Sequence, residues 1–265
     1  MFTRLARKPL SRGTRLFTRP IRIKTGPSHF TKSFPKAISS SRLPYENDVP
    51  SKRDPTRETS LNAADNLGRE LQKIGFTKWG FVIYRCTYQS QEDWDKFMDM
   101  FLYTVTDYFE FHKGLDMLES FCPRVFEDPS FNGATTSLLR THFRKWVETA
   151  KRQEQGIDTL YTSGRYIFFV MVDQEALESV LNSDPEAMIT TGFVRLVYGD
   201  WEPEAGEDGE NEDLEPIEGC TQEDVGWMKI PYDEVQSIGA GGLAMRDMHD
   251  WDMYYARPPE VQALG

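Results

Sequence analysis

Two histidines and two arginines are the residues of this chain best placed to do chemistry. His112 and His142 each fall on the apolar stripe of an expected helix, the first beside Val105 and Tyr108, the second beside Leu138, Phe143 and Trp146. If both helices cover one sheet, the imidazoles would approach each other near Cys86 or Cys122, a grouping suited to acid–base or nucleophilic work. The plainer reading makes them hydrogen-bonded structural groups. Arg85 and Arg195 fall mid-strand, where a cation needs a reason: an acid at the core edge, or an anionic ligand on an open sheet face. Arg85, Arg195, His112 and His142 are therefore the candidate ligand-binding set. No residue is given a catalytic role, because no nucleophile–base pair stands out.

Other spacings imitate sites without supplying their context. Gly239-Ala240-Gly241-Gly242-Leu243-Ala244 fits GxGxxA, but a dinucleotide fold needs a βαβ unit around it, and only about twenty residues follow. Asp247, His249, Asp250 and Asp252 are metal-ligating types that lack the alternation and turn glycine of an oxygen-ligand loop. Cys86, Cys122 and Cys220 lie far apart with no CxxC pair, so neither a zinc site nor a disulfide scaffold is expected. Gly80-Phe81-Val82-Ile83-Tyr84 is spelled like the aromatic strand of an RNA-recognition fold. It lies in the first strand rather than the third and lacks that strand's preceding basic residue, so it reads as core packing. No metal and no cofactor are expected.

An alternation of helices and strands must carry these residues. Leu61, Ala64, Leu67, Leu71 and Ile74 keep helical spacing between Ser60, a candidate cap, and Gly75. Trp79 to Tyr88 is the clearest strand. Ser90 opens a helix to about Lys113, closed by Gly114, whose stripe is Trp94, Phe97, Met98, Phe101, Val105, Tyr108 and His112. Phe121 to Phe126 reads as a short strand that Pro123 assigns to a sheet edge. A helix follows from about Thr136 to Gln153, then strands at Arg165–Asp173, Phe193–Trp201 and Trp227–Tyr232, with helices at Gln174–Asn182 and near Leu243–Tyr255. The pattern Gln91-Glu92-x-Trp94-Asp95-x-Phe97-Met98 after the first strand returns as Gln174-Glu175-x-Leu177-Glu178-x-Val180-Leu181 after the third. Two such copies predict an α+β fold, a ferredoxin-like sandwich from a duplicated βαβ. The helix at 136–153 would be an insertion between the halves, and the last strand would be added at the edge. A generic α/β sheet is the alternative.

Charge divides the chain. Residues 1–45 hold eleven Lys and Arg and no acid, so 20 basic and 42 acidic residues remain in 46–265. The arm is Arg- and Ser/Thr-rich and reads as disordered, with the makings of a mitochondrial presequence; a basic tail for nucleic acid or a nuclear address is the alternative. The expected address is the mitochondrial matrix, otherwise cytoplasm or nucleus. Residues 46–59 read as a linker and 60–261 as one α+β domain, with 202–224, which hold eleven acids and no Lys or Arg, as a mobile loop. The acidic body would repel a polyanion, so nucleic acid is not an expected partner. The longest apolar run, Ile167 to Val172, is too short to span a bilayer.

Trp79-Gly80-Phe81-Val82-Ile83-Tyr84-Arg85 through Thr87-Tyr88, the Phe143-Arg144-x-Trp146 element and Tyr255-Ala256-Arg257-Pro258-Pro259-Glu260-Val261 together resemble a family of uncharacterised fungal proteins. The likeness covers residues 79–261 and implies no activity. The expected function is a non-catalytic binding or protein-interaction module. Its sheet face or Trp/Tyr-rich C-terminal segment would meet a protein partner. The alternative is a small enzyme or ligand-binding protein with a small-molecule pocket between sheet and helices, where the four candidate residues would converge.

Overall fold

The computed structural model describes residues 49–183, 192–203, 214–235 and 248–263. The basic arm, residues 204–213 of the acidic stretch, the Gly239–Ala244 motif and Asp247 lie outside the described residues.

Local sequence sets the helix ends. In α1 (Ala63–Ile74) Asn62, not Ser60, is the cap: its side chain accepts the Asp65 N–H, and Gly75 closes the helix at φ 74°. The apolar stripe starts at Ala64, because Leu61 belongs to a short 3-10 turn and is exposed. Ser90 caps α2 (Gln91–Phe111), and Thr135 caps α3 (Thr136–Gln155). Asp173 caps α4 (Gln174–Leu181). The last helix, α5, runs Met248–Tyr254. Each cap oxygen takes an N–H that the helix cannot satisfy itself.

Five strands form one mixed sheet: β1 (Val82–Arg85), β2 (Arg124–Phe126), β3 (Phe168–Val172), β4 (Phe193–Tyr198) and β5 (Trp227–Pro231). The order is β2-β1-β3-β4-β5, with β1 parallel to both β2 and β3, and the β3–β4 and β4–β5 pairs antiparallel. The strand after Pro123 is an edge strand, as its proline predicts. The α+β class and the placing of both repeated strand-helix units in one sheet hold, with β1 and β3 as neighbours.

The arrangement departs from a duplicated βαβ sandwich in two respects. The neighbours β2, β1 and β3 are parallel, and the helix read as an insertion is the crossover from β2 to β3. The reason lies in burial. Every residue of β1, β3 and β5 is buried, so both faces of the sheet need cover. On one face Trp94, Phe97 and Phe101 of α2 and Leu177 and Val180 of α4 pack against Ile83, Val170, Val172, Leu196 and Met228. On the other, Leu139 and Phe143 of α3 pack against Val82, Tyr84, Phe169, Met171, Val197 and Trp227. α3 is the third layer.

Residues 214–224 of the acidic stretch are held in place rather than being loose. Glu218 accepts from the Thr136 backbone N–H and hydroxyl at the start of α3, where a carboxylate complements the helix dipole. Asp224 accepts from the Gly226 N–H and from the Trp251 indole. The C-terminal aromatics are used internally too. Trp251 is buried and stacks on Phe168, and Tyr255 accepts from Val225 N–H while donating to the Glu223 carbonyl.

Candidate ligand-binding site

The four candidate residues do not converge. His112, at the end of α2, is buried; its Nδ1 accepts the Ala63 N–H at 3.3 Å and its carbonyl accepts from Asn62 Nδ2 at 2.9 Å. Burial, and then the nearby Arg57, hold its pKa down to about 4, so it serves α1 as a neutral acceptor. His142 lies across the sheet on α3, hydrogen-bonded through Nδ1 to Tyr84 Oη at 2.8 Å and edge-on to Phe126 and Phe131. Burial lowers its pKa as well. Both imidazoles are structural. Cys86 is buried, and burial pushes its thiol up to about 12, far from a nucleophilic thiolate.

Arg85 is buried on the α2 side. Its Nε donates to the Thr87 carbonyl at 2.9 Å and Nη1 to Gln91 Oε1 at 2.7 Å, and the guanidinium lies 4.4 Å from the Tyr88 ring centre and 5.0 Å from that of Trp94. The connection after β1 leads to β2 and the one after β3 to β4, on opposite sides of the sheet, which in open α/β sheets makes a crevice at the strands' carboxyl ends. Here the chain bonds to itself across that position. Cys86 N–H donates to Val172 O at 2.8 Å, Gly133 N–H to Cys86 O at 3.0 Å, and the Thr87 hydroxyl meets the Gln174 side chain.

Arg195 stands beside residues that line a cavity. The cavity, of about 460 Å³, lies along β5 and is lined by Glu175, Leu214, Glu215, Ile217, Trp227, Lys229, Arg257, Pro258 and Pro259. Trp227 and Lys229 are two residues apart on β5 and therefore share a face. Arg195 of β4 is directly opposite Lys229, and its guanidinium lies 4.5 Å from the Trp227 ring centre. Glu175 reaches in from the first turn of α4. The outer wall is the C-terminal segment, which crosses the edge of β5 with Gln262 N–H donating to Lys229 O at 2.8 Å. Arg257 fastens that segment to the loop at 214–224, donating to the carbonyls of Glu215 at 2.8 Å and Glu223 at 3.3 Å and to that of Gln222.

Two cations facing each other across neighbouring strands repel, so the pair needs acids. Asp173 Oδ2 lies 2.5 Å from Arg195 Nη2. Glu175 bridges both cations, with Oε2 at 3.1 Å from Arg195 and Oε1 at 2.6 Å from Lys229. Partial burial pushes the Glu175 carboxyl up, but the hydrogen bond and charge of Lys229, joined by Arg195, outweigh it and hold the pKa below the ordinary range. The carboxylate is ionised. The Arg195 and Lys229 side chains are 15% and 9% exposed, whereas that of Glu175 is 55% exposed. Two buried donors at the site, Trp227 Nε1 and Arg195 Nε, have no hydrogen-bond partner among the described residues. Such a cavity offers donors and positive charge beside apolar walls, which suits binding of an acceptor-bearing molecule. Among the described residues no group of three or more His, Cys, Asp or Glu could hold a metal ion.

The signal for this site was present in the sequence. Lys229 is a cation in the middle of a strand, just as Arg85 and Arg195 are, and the same reasoning selects it. Glu175 was legible only as part of a helix start, and the contribution of Arg257 depends on tertiary placement. Set against known proteins, the chain matches no known family, no curated protein and no solved structure.

Proposed function

We propose that the domain is a non-catalytic binding module whose ligand occupies the cavity along β5. The observation that carries this reading is the Trp227 side chain and the Lys229 ammonium lining, with Arg195 beside them, a cavity large enough for a small molecule. The groups best suited to proton transfer or nucleophilic attack support binding over catalysis. His112 and His142 are held neutral in structural bonds away from the cavity, and Cys86 is held as a buried thiol.

The surfaces expected to receive a protein partner are used within the domain. Helices cover both faces of the sheet, and Trp251 is packed inside. That favours a small molecule over a protein. A fragment screen by thermal shift on the full chain, repeated on Leu214→Trp, tests the proposal. The substitution fills the cavity from its half-exposed loop wall and replaces no residue of the sheet. Hits that raise the Tm of the unsubstituted chain should lose the effect in the variant. Hits that keep their full effect in Leu214→Trp, or a screen without hits, would refute it.

A further inference from the structure

Resting on that reading, we propose that the ligand is a small organic carboxylate. Its carboxylate takes the place of Glu175 between Arg195 and Lys229, and its apolar body lies against Trp227, Pro258 and Pro259.

The two cations form a cradle fixed by the sheet. They are paired directly across β4 and β5, their side chains are largely buried, and their common counterion is Glu175. The two acids at the cradle differ in kind. Asp173 caps α4 with one oxygen, accepting the Ala176 N–H at 2.9 Å, and meets Arg195 with the other at 2.5 Å, so it is held from both sides. Glu175 is more than half exposed and, among the described residues, is held in the cradle by its carboxylate. It can swing into water. Its departure leaves two facing cations with Asp173 as their one remaining acid neighbour in this network, a vacancy that an incoming carboxylate fills without changing the net charge. Glu175 is thus an internal occupant with which the ligand competes.

The remaining features describe the rest of the ligand. The cradle groups Arg195 Nη2 and Lys229 Nζ are donors without acceptor capacity, so the ligand must bring acceptors. The indole, the proline pair and Leu214 form apolar walls that suit an aromatic or branched body. An inorganic anion would satisfy the cradle and leave those walls unused. A neutral ligand would fill the walls and leave the cradle to Glu175.

The test is a titration followed through the indole N–H resonance of Trp227, assigned by its loss in Trp227→Phe. The probes are benzoate, its neutral isostere benzamide, and inorganic phosphate. Benzoate should shift the Trp227 resonance saturably, and Glu175→Gln, which weakens the internal competitor, should tighten half-saturation about tenfold. Lys229→Met should abolish the shift; it replaces a buried ammonium with an apolar chain of similar length and leaves Arg195 with both acids, so folding is preserved, as circular dichroism would confirm. Benzamide or phosphate binding as tightly as benzoate would overturn the carboxylate assignment, as would unchanged affinity in Glu175→Gln. Leu214-dependent fragment hits in the thermal-shift screen would leave the cavity reading standing in that event. No saturable shift with benzoate in either the unsubstituted chain or Glu175→Gln would also overturn this proposal.

Discussion

Lowering the pH from 7.5 to 5.5 should destabilise the domain through His112, by an amount the structure fixes. The imidazole accepts the Ala63 N–H and is buried among Tyr108 and Phe111, with Arg57 nearby. Its pKa is about 4 when folded, against an ordinary value of about 6.5 in the unfolded chain. Between those values the unfolded chain binds the proton and the folded chain does not, so stability falls as pH falls. The full effect, reached below the folded pKa, is on the order of 3 kcal/mol, and by pH 5.5 it amounts to about 1 kcal/mol. Carboxylates unfold into pKa values near 4 and contribute little above pH 5.5. His142 acts in the same direction but is common to the proteins compared. Urea denaturation at both pH values, on the unsubstituted chain and on His112→Asn, isolates the residue, because asparagine can accept the Ala63 N–H without titrating. The variant should lose about 1 kcal/mol less than the parent across this range. Equal losses, or an imidazole that titrates near 6.5 by NMR, would show that His112 is not the buried acceptor described here.

Glu154→Gln should cost about 3 kcal/mol or more in urea denaturation, because it leaves the buried Arg165 guanidinium without the carboxylate that binds it at 2.8 and 2.9 Å. The double substitution Glu154→Leu, Arg165→Met should recover much of that loss, and a single-variant cost under about 1 kcal/mol would contradict the pairing. Iodoacetamide on the native chain should label Cys122 and Cys220, both half-buried, well before the buried Cys86. Peptide mass spectrometry showing Cys86 labelled at a matching rate would refute that order.

The positions of the elements were largely legible because caps and stripes are local. Gly75 and Ser90 mark ends that the structure keeps, and Pro123 marks an edge. Strand order was not legible, since nothing near Arg124 or Phe168 says on which side of β1 each crossover must return. A partial clue existed in the unbroken apolar run of β3, Phe168 to Val172, which belongs to a strand covered on both faces and so requires a helix layer on each. His112 and His142 misled for a related reason. Helical spacing places a residue on an apolar face but does not say which side of the sheet that face will meet. Arg195 was singled out because a cation within a strand is anomalous wherever it occurs, and Lys229 follows from the same argument.

Arg195 and Lys229 differ from Arg140 and Arg257 in the kind of acceptor each holds. Arg140 donates to the carbonyls of Tyr198, Val225 and Gly226, and Arg144 to those of Gly199 and Trp201 and to the Glu202 carboxylate, so α3 grips the connection between β4 and β5 largely by its backbone. Arg257 does the same for the loop at 214–224. A backbone carbonyl cannot leave without moving its strand or loop, and such bonds give an arginine fork its fixed geometry. Arg195 and Lys229 instead share the carboxylate of an exposed side chain at the start of a helix, which can depart by rotating its own bonds. The guanidinium forks on carbonyls therefore hold the strand connection and the loop beside the cavity, while under the proposed function the paired cations and their replaceable acid are where one anion exchanges for another.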